Sequence, residues 1–170
     1  MSMKFVSSDL AWYAAYPDTV SFQVDARRYN WPFRPVRRIQ GKNRYAFPEA
    51  VLAHVISVLR HIGISASSVA AILARLDQIA FKQALDEFEA NLVEEVILTL
   101  PISRYFEPDV EGDLATVHTS IVSAHQTLDE VDALYIRLTD ISQGIKEGHI
   151  WIQEINLVSL IKFKLLYPAN

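Results

Sequence analysis

Pro32 and Pro35, followed by Gly41, place the strongest local constraint on this chain. A proline fixes φ, lacks an N–H donor and pushes the residue before it out of the α region. Helix is therefore barred across residues 31–47, WPFRPVRRIQGKNRYAF, and that segment is expected to run extended. Gly41 marks a tight turn inside it, so residues 36–40 and 43–47 are expected to pair as a two-stranded hairpin. The same stretch is chemically unusual. Residues 26–48 carry Arg27, Arg28, Arg34, Arg37, Arg38, Lys42 and Arg44 and no acidic side chain, although the whole chain has a net charge of −4. Overall composition therefore does not impose this cluster. Tyr29, Trp31, Phe33, Tyr45 and Phe47 are interleaved with the cations. A basic and aromatic surface of this density suits contact with phosphates.

The flanking segments read as helices. Ser7-Ser8-Asp9 precedes an apolar run and predicts a first helix over about residues 8–16, with a Ser or Asp cap. Pro17-Asp18-Thr19 interrupts it and opens a second over about 19–30. Phe47-Pro48-Glu49 begins a third, with proline near its first position and an apolar face from Val51 to Ile62. Gly63 ends it, and Ser65 starts a fourth that carries Val69, Ile72, Leu73 and Leu76. A further helix is predicted over 81–98, with Leu85, Phe88, Leu92 and Val96 as its stripe. Pro101 ends it, and residues 103–113 read as a polar linker.

Beyond that linker, Leu114, Val117, Ile121, Ala124, Leu128, Val131, Tyr135 and Leu138 recur at 3-4 spacing. This predicts a long helix over about 114–141. It reads either as the coiled-coil seam of a homodimer, with Leu114, Val117, Ile121, Leu128, Val131, Tyr135 and Leu138 at the interface, or as an amphipathic helix packed on its own domain. The apolar segment after Gly148 has mixed periodicity: IKFKLL alternates like a strand, while IQEINLVSLI reads as helix. The expected organisation is a first domain over residues 1–76 and a second over 77–170.

Charge divides along the same line. Residues 1–76 contain ten basic and four acidic residues, and residues 77–170 contain six basic and sixteen acidic. The halves therefore carry +6 and −10. One half is suited to a polyanion and the other is not.

The order helix, turn, helix, basic hairpin, helix, helix resembles the winged helix-turn-helix of MerR-type regulators, and particular residues carry the resemblance. Arg28-Tyr29 resembles the Arg-Tyr pair near the end of that family's second helix. Arg34-Pro35-Val36-Arg37-Arg38 is similar to its entry into the wing, and Gly41-Lys42-Asn43-Arg44-Tyr45-Ala46-Phe47 to the wing turn and returning strand. Leu59-Arg60-His61-Ile62-Gly63-Ile64-Ser65, with a short helix ending at Ile72-Leu73, resembles the helix pair after the wing. The chain departs from the family at Tyr16-Pro17-Asp18, where a glycine-containing turn is common, at Trp31-Pro32-Phe33, and in the extra helix over 81–98.

The resemblance implies a mainly α fold with a small β hairpin: a winged helix-turn-helix followed by a helical dimerisation or effector region. It implies a dimeric, sequence-specific regulator of transcription, with helix 2 in the major groove of duplex DNA and the wing on the flanking backbone. Base contacts must come from helix 2, where Ser21, Gln23, Asp25 and Arg27 are candidates. Val20, Phe22, Val24 and Ala26 are expected to pack inward. Arg28, Arg34, Arg37, Arg38, Lys42 and Arg44 are the phosphate candidates. Tyr29 and Tyr45 either flank phosphates or form the wing's small core.

Other chemistries find little support. There is no cysteine and only five glycines, and the chain lacks the nucleophile-elbow, phosphate-loop and zinc-protease motifs. No catalytic residue, metal or cofactor is therefore expected. His54 and His61, like His118 and His125, are seven apart without a third ligand, a pattern of helix-packing or surface histidines. The start of the chain has no leader-like apolar region, and no uncharged apolar run reaches membrane-spanning length. A cytoplasmic protein that does not enter membranes is expected. A competing reading is a protein-interaction module, antitoxin-like or a phage-type adaptor, that holds a protein partner with its acidic half. The apolar C-terminal region with Trp151, Phe163 and Tyr167 reads either as plain packing or as an enclosure for a small apolar ligand.

Overall fold

A computed structural model describes residues 4–101, 116–118 and 133–147. Its described elements follow the order α1 (Ser7–Tyr13), α2 (Thr19–Arg28), β1 (Arg37–Ile39), β2 (Lys42–Arg44), α3 (Phe47–His61), α4 (Ala66–Ala74), α5 (Gln78–Glu89), β3 (Ile97–Pro101), β4 (Thr116–His118), β5 (Ala133–Arg137) and α6 (Leu138–Lys146). The chain divides into two compact units, Met1–Ala74 and Arg75–Asn170. Among the described residues no helix is long and apolar enough to cross a membrane.

In the first unit, helix termini are set by local chemistry. At the start of α1 the Asp9 carboxylate accepts the Val6 N–H at 2.7 Å, so the acid reaches back from the first turn rather than capping from in front. Asp18 caps α2, accepting the Ser21 N–H at 2.7 Å and the Ser21 hydroxyl at 2.8 Å. Pro48 occupies the first turn of α3, where its missing N–H has no helical partner to lose. Helices α1, α2 and α3 end alike. The residue past the cap turns left-handed, at Ala15 (φ 58°), Asn30 (φ 51°) and Gly63 (φ 94°). The next N–H then bonds five residues back, Tyr16 to Ala11, Trp31 to Ala26 and Ile64 to Leu59. Ala15 takes this conformation at a cost of roughly 1 kcal/mol against glycine, so the turn between α1 and α2 forms without one.

Helix α3 is the core of the unit. Its first thirteen residues, Phe47–Leu59, are all buried. Helix α1 packs on it, and so does α4 through Val69, Ile72 and Leu73. The hairpin pairs Arg37 with Arg44, Arg38 with Asn43 and Ile39 with Lys42. Its two-residue loop, Gln40-Gly41, has positive φ at both positions (48° and 75°), the backbone sign of the type I′ turn that suits the twist of two strands. A third segment joins it: Phe5 and Tyr45 exchange both backbone hydrogen bonds, at 3.0 and 2.8 Å.

The second unit departs from the all-helical expectation. Helix α5 ends at Glu89 rather than continuing to residue 98. Asn91 turns left-handed (φ 57°) and the Leu92 N–H bonds back to Glu87. Leu92, expected on the buried stripe, is 74% exposed. The chain then enters β3, the centre of a three-stranded antiparallel sheet ordered β4-β3-β5. Ile97 lies opposite both His118 and Arg137.

Residues 114–141 therefore do not form one helix. Val117 lies in β4, Tyr135 in β5, and Leu138 opens α6. Leu114, Ile121, Leu128 and Val131 lie outside the described residues, as do the linker 103–113 and the segment 149–170. Without a continuous helix the 3-4 spacing makes no continuous seam. Physically, β5 pairs the backbone donors and acceptors of one edge with β3 along its full length, an alternative that apolar spacing does not report. Val96 ties the end of the sheet to α6: its N–H donates to Thr139 Oγ1 at 2.8 Å, and its carbonyl accepts from the Leu138 N–H at 2.8 Å.

Candidate nucleic-acid interface

The basic residues emerge from three places. Arg27 and Arg28 stand exposed on the last turn of α2, where they also complement the negative end of the helix dipole. Arg34 is exposed in the extended segment that Pro32 and Pro35 enforce. The hairpin carries the rest. Because opposed residues of an antiparallel pair share a face, Arg37, Arg44, Ile39 and Lys42 fall on one side, and Arg38 and Asn43 on the other.

On the first side two like charges oppose each other, Arg37 across from Arg44. Such a pair is repulsive on its own. Arg44 is half-buried, and its Nε finds no acceptor among the described residues. On the other side the Arg38 Nε donates to the Gly41 carbonyl at 3.0 Å. That bond anchors the exposed guanidinium to the turn.

Helix α2 buries one aromatic side chain against its neighbours. Phe22 is the only buried residue of the helix, at 3% exposure. Its ring lies 5.6 Å from Tyr16, 6.1 Å from Trp31 and 5.4 Å from Phe33. The expectation that Val20 and Val24 pack inward is not met: they are 70% and 47% exposed. The aromatic residues that follow the helix cover one side of it, so a single ring suffices to dock it.

The structure sorts the candidate residues. A groove of about 450 Å³ brings Gln23 and Thr19 of α2 together with Arg38, Gly41, Lys42 and Asn43 of the hairpin and with Val6, Ser7 and Ser8 at the start of α1. Arg27, Arg28, Arg34, Arg37 and Arg44 do not line it. The Ser21 hydroxyl is committed to Asp18. Asp25 accepts the Tyr16 hydroxyl at 2.8 Å and so serves the helix packing. Burial, and then that carboxylate, push the Tyr16 phenol above its ordinary range, so it stays a neutral donor. Tyr29 is half-buried and stacks on Trp31 at 6.2 Å, while Tyr45 is buried beside Phe5. Sequence marks Ser7, Ser8, Thr19 and Asn43 only as cap or turn residues, not as part of a site. Three of them sit at helix starts that become neighbours of the hairpin only in three dimensions.

The cap that starts α2 is acid-sensitive. The N–H of Ser21, and then its hydroxyl, hold the Asp18 carboxyl below its ordinary value of 3.8. The group is more acidic folded than unfolded. Its contribution is therefore present above pH 3.8 and is lost as pH falls below that value through the folded pKa. Asp18→Asn should keep the cap, because an amide oxygen accepts the same bond, and should remove this dependence. Thermal midpoints of the two proteins between pH ~6 and pH ~3 should show a steeper acid loss for the wild type. Parallel loss in both would assign the acid sensitivity elsewhere.

No protein-family model matches this chain, and no curated protein is significantly similar to it in sequence.

Proposed function

We propose that this protein is a sequence-specific DNA-binding regulator of transcription that grips duplex DNA with α2 and the β1–β2 hairpin, in the manner of a winged helix-turn-helix. The observation that carries the reading is the groove in which Gln23 of α2 meets Arg38 and Lys42 of the hairpin. A side chain able to pair with a base edge stands beside two able to pair with phosphates. A ten-residue helix is about 15 Å long, and its exposed face fits a major groove about 12 Å wide. Arg37 and Arg44 support the same reading. A phosphate placed between the opposed guanidiniums relieves their repulsion.

The test is binding to random-sequence duplex DNA as salt is varied. With roughly five to seven phosphate contacts, affinity should fall about a thousandfold between 50 and 200 mM salt. Absence of binding at low salt would overturn the proposal.

A further inference from the structure

Helix α2 exposes apolar side chains on the face it turns away from its own core. Val20 is 70% exposed and Val24 47% exposed, while Phe22 alone is buried. Val20 and Val24 are four residues apart and so lie one turn apart on the same face. Isolated exposed valines are ordinary on any protein. These two are placed differently, on a helix flanked by cations. Arg27 and Arg28 follow them on the last turn of the same helix, and Arg38 and Lys42 share a groove with Gln23, the residue before Val24. Charge complementarity selects a polyanion as the occupant of this face, and the valines require that polyanion to offer apolar groups at its centre.

The major groove of duplex DNA does so in one way. Its edges present donors and acceptors, together with a single apolar group, the C5-methyl of thymine. Gln23 points to the same base pair, because its amide matches the N6/N7 edge of adenine, the partner of thymine. We infer that Val20 and Val24 read thymine methyl groups in the major groove, so that the preferred site carries A·T pairs beneath the N-terminal half of α2. This rests on the proposed DNA-binding role and adds to it the chemistry of base selection.

The valines then contribute by burial against a methyl group, without hydrogen bonds. Each contacted methyl should be worth about fourfold in affinity, the scale for one buried methyl-sized group. The exposed positions also make the variants benign. Alanine is a better helix former than valine, and neither side chain supports the core.

The experiment uses the full chain and the duplex it selects from a random library. In that duplex deoxyuridine replaces thymidine one position at a time, which removes a methyl and nothing else. Wild-type affinity should fall about fourfold at one or two positions. Val20→Ala or Val24→Ala should show the same loss on the thymidine duplex and no further loss when deoxyuridine stands at the matching position, since contacting groups are non-additive. Equal wild-type affinity for every substituted duplex would overturn the inference while leaving DNA binding in place. So would an undiminished deoxyuridine effect in both valine variants. Failure to bind any duplex at low salt would overturn the DNA-binding proposal and this inference with it.

Discussion

Replacing Arg37, Arg38 and Lys42 together by alanine should weaken binding to duplex DNA on the order of a hundredfold at low salt and flatten its salt dependence. Every phosphate that the protein no longer neutralises takes about 0.9 off the slope of log affinity against log salt, so three of them take off roughly 2.7. The three residues are exposed and carry no core packing. Substitutions of that kind ordinarily change stability by less than about 0.5 kcal/mol. Removing Arg37 also relieves the repulsion against Arg44 across the hairpin. A fall in affinity therefore reports binding and not unfolding. Fluorescence anisotropy titrations across a salt series measure both quantities. An unchanged slope would show that the hairpin does not touch the phosphate backbone, whatever the rest of the molecule does.

Phe22→Ala should have the largest effect on stability among the residues of the proposed interface. Truncating a buried phenylalanine costs about 3–5 kcal/mol, from forfeited transfer energy and the cavity left behind. Here the ring is the sole buried side chain of α2 and the hub of contacts to Tyr16, Trp31 and Phe33. The loss is large against the roughly 5–15 kcal/mol that separates most folded proteins from their unfolded chains. Urea denaturation should show a lower midpoint, with the first unit the part affected. Val24→Ala, on the exposed face of the same helix, is the natural control and should change stability by less than about 0.5 kcal/mol. A Phe22→Ala loss below about 1 kcal/mol would show that α2 is held by something other than the aromatic cluster.

What the sequence made legible is what obeys local backbone rules. Pro32 and Pro35 bar helix, Gly41 permits the turn, Asp18 caps, and Gly63 ends a helix through a conformation other residues resist. Each acts within a few residues of itself, so each can be read without a partner. The boundaries of α3 and the start of α4 followed for the same reason. One failure is local: α5 ends at Glu89, and the left-handed Asn91 beyond it is a weaker signal than the proline at position 101, while Leu92 continued the apolar period although it stands in solvent. The other is non-local. Strand β5 pairs with β3 from Ile97↔Arg137 to Pro101↔Ala133, a partnership invisible to any periodicity read within one segment. In the groove, Arg38, Lys42 and Gln23 are among the residues that type alone had marked, while Arg37 and Arg44 lie outside it. The face of α2 was not legible, because its outward side is decided by Trp31 and Phe33 folding back onto Phe22.

The exchange of hydrogen bonds between Phe5 and Tyr45 has a consequence for how the basic surface comes into being. The hairpin closes over two residues and can form in microseconds, yet an isolated two-stranded ribbon is marginal in water. Its third segment lies forty positions away in the chain. Bringing those ends together costs about 3 kcal/mol of loop entropy, which the docking of α1 on α3 must already have offset. The hairpin therefore reaches its three-segment form only when residues 5 and 45 have been brought together. A chain in which that pair has opened keeps all seven cations and loses the segment that steadies the four carried on the hairpin.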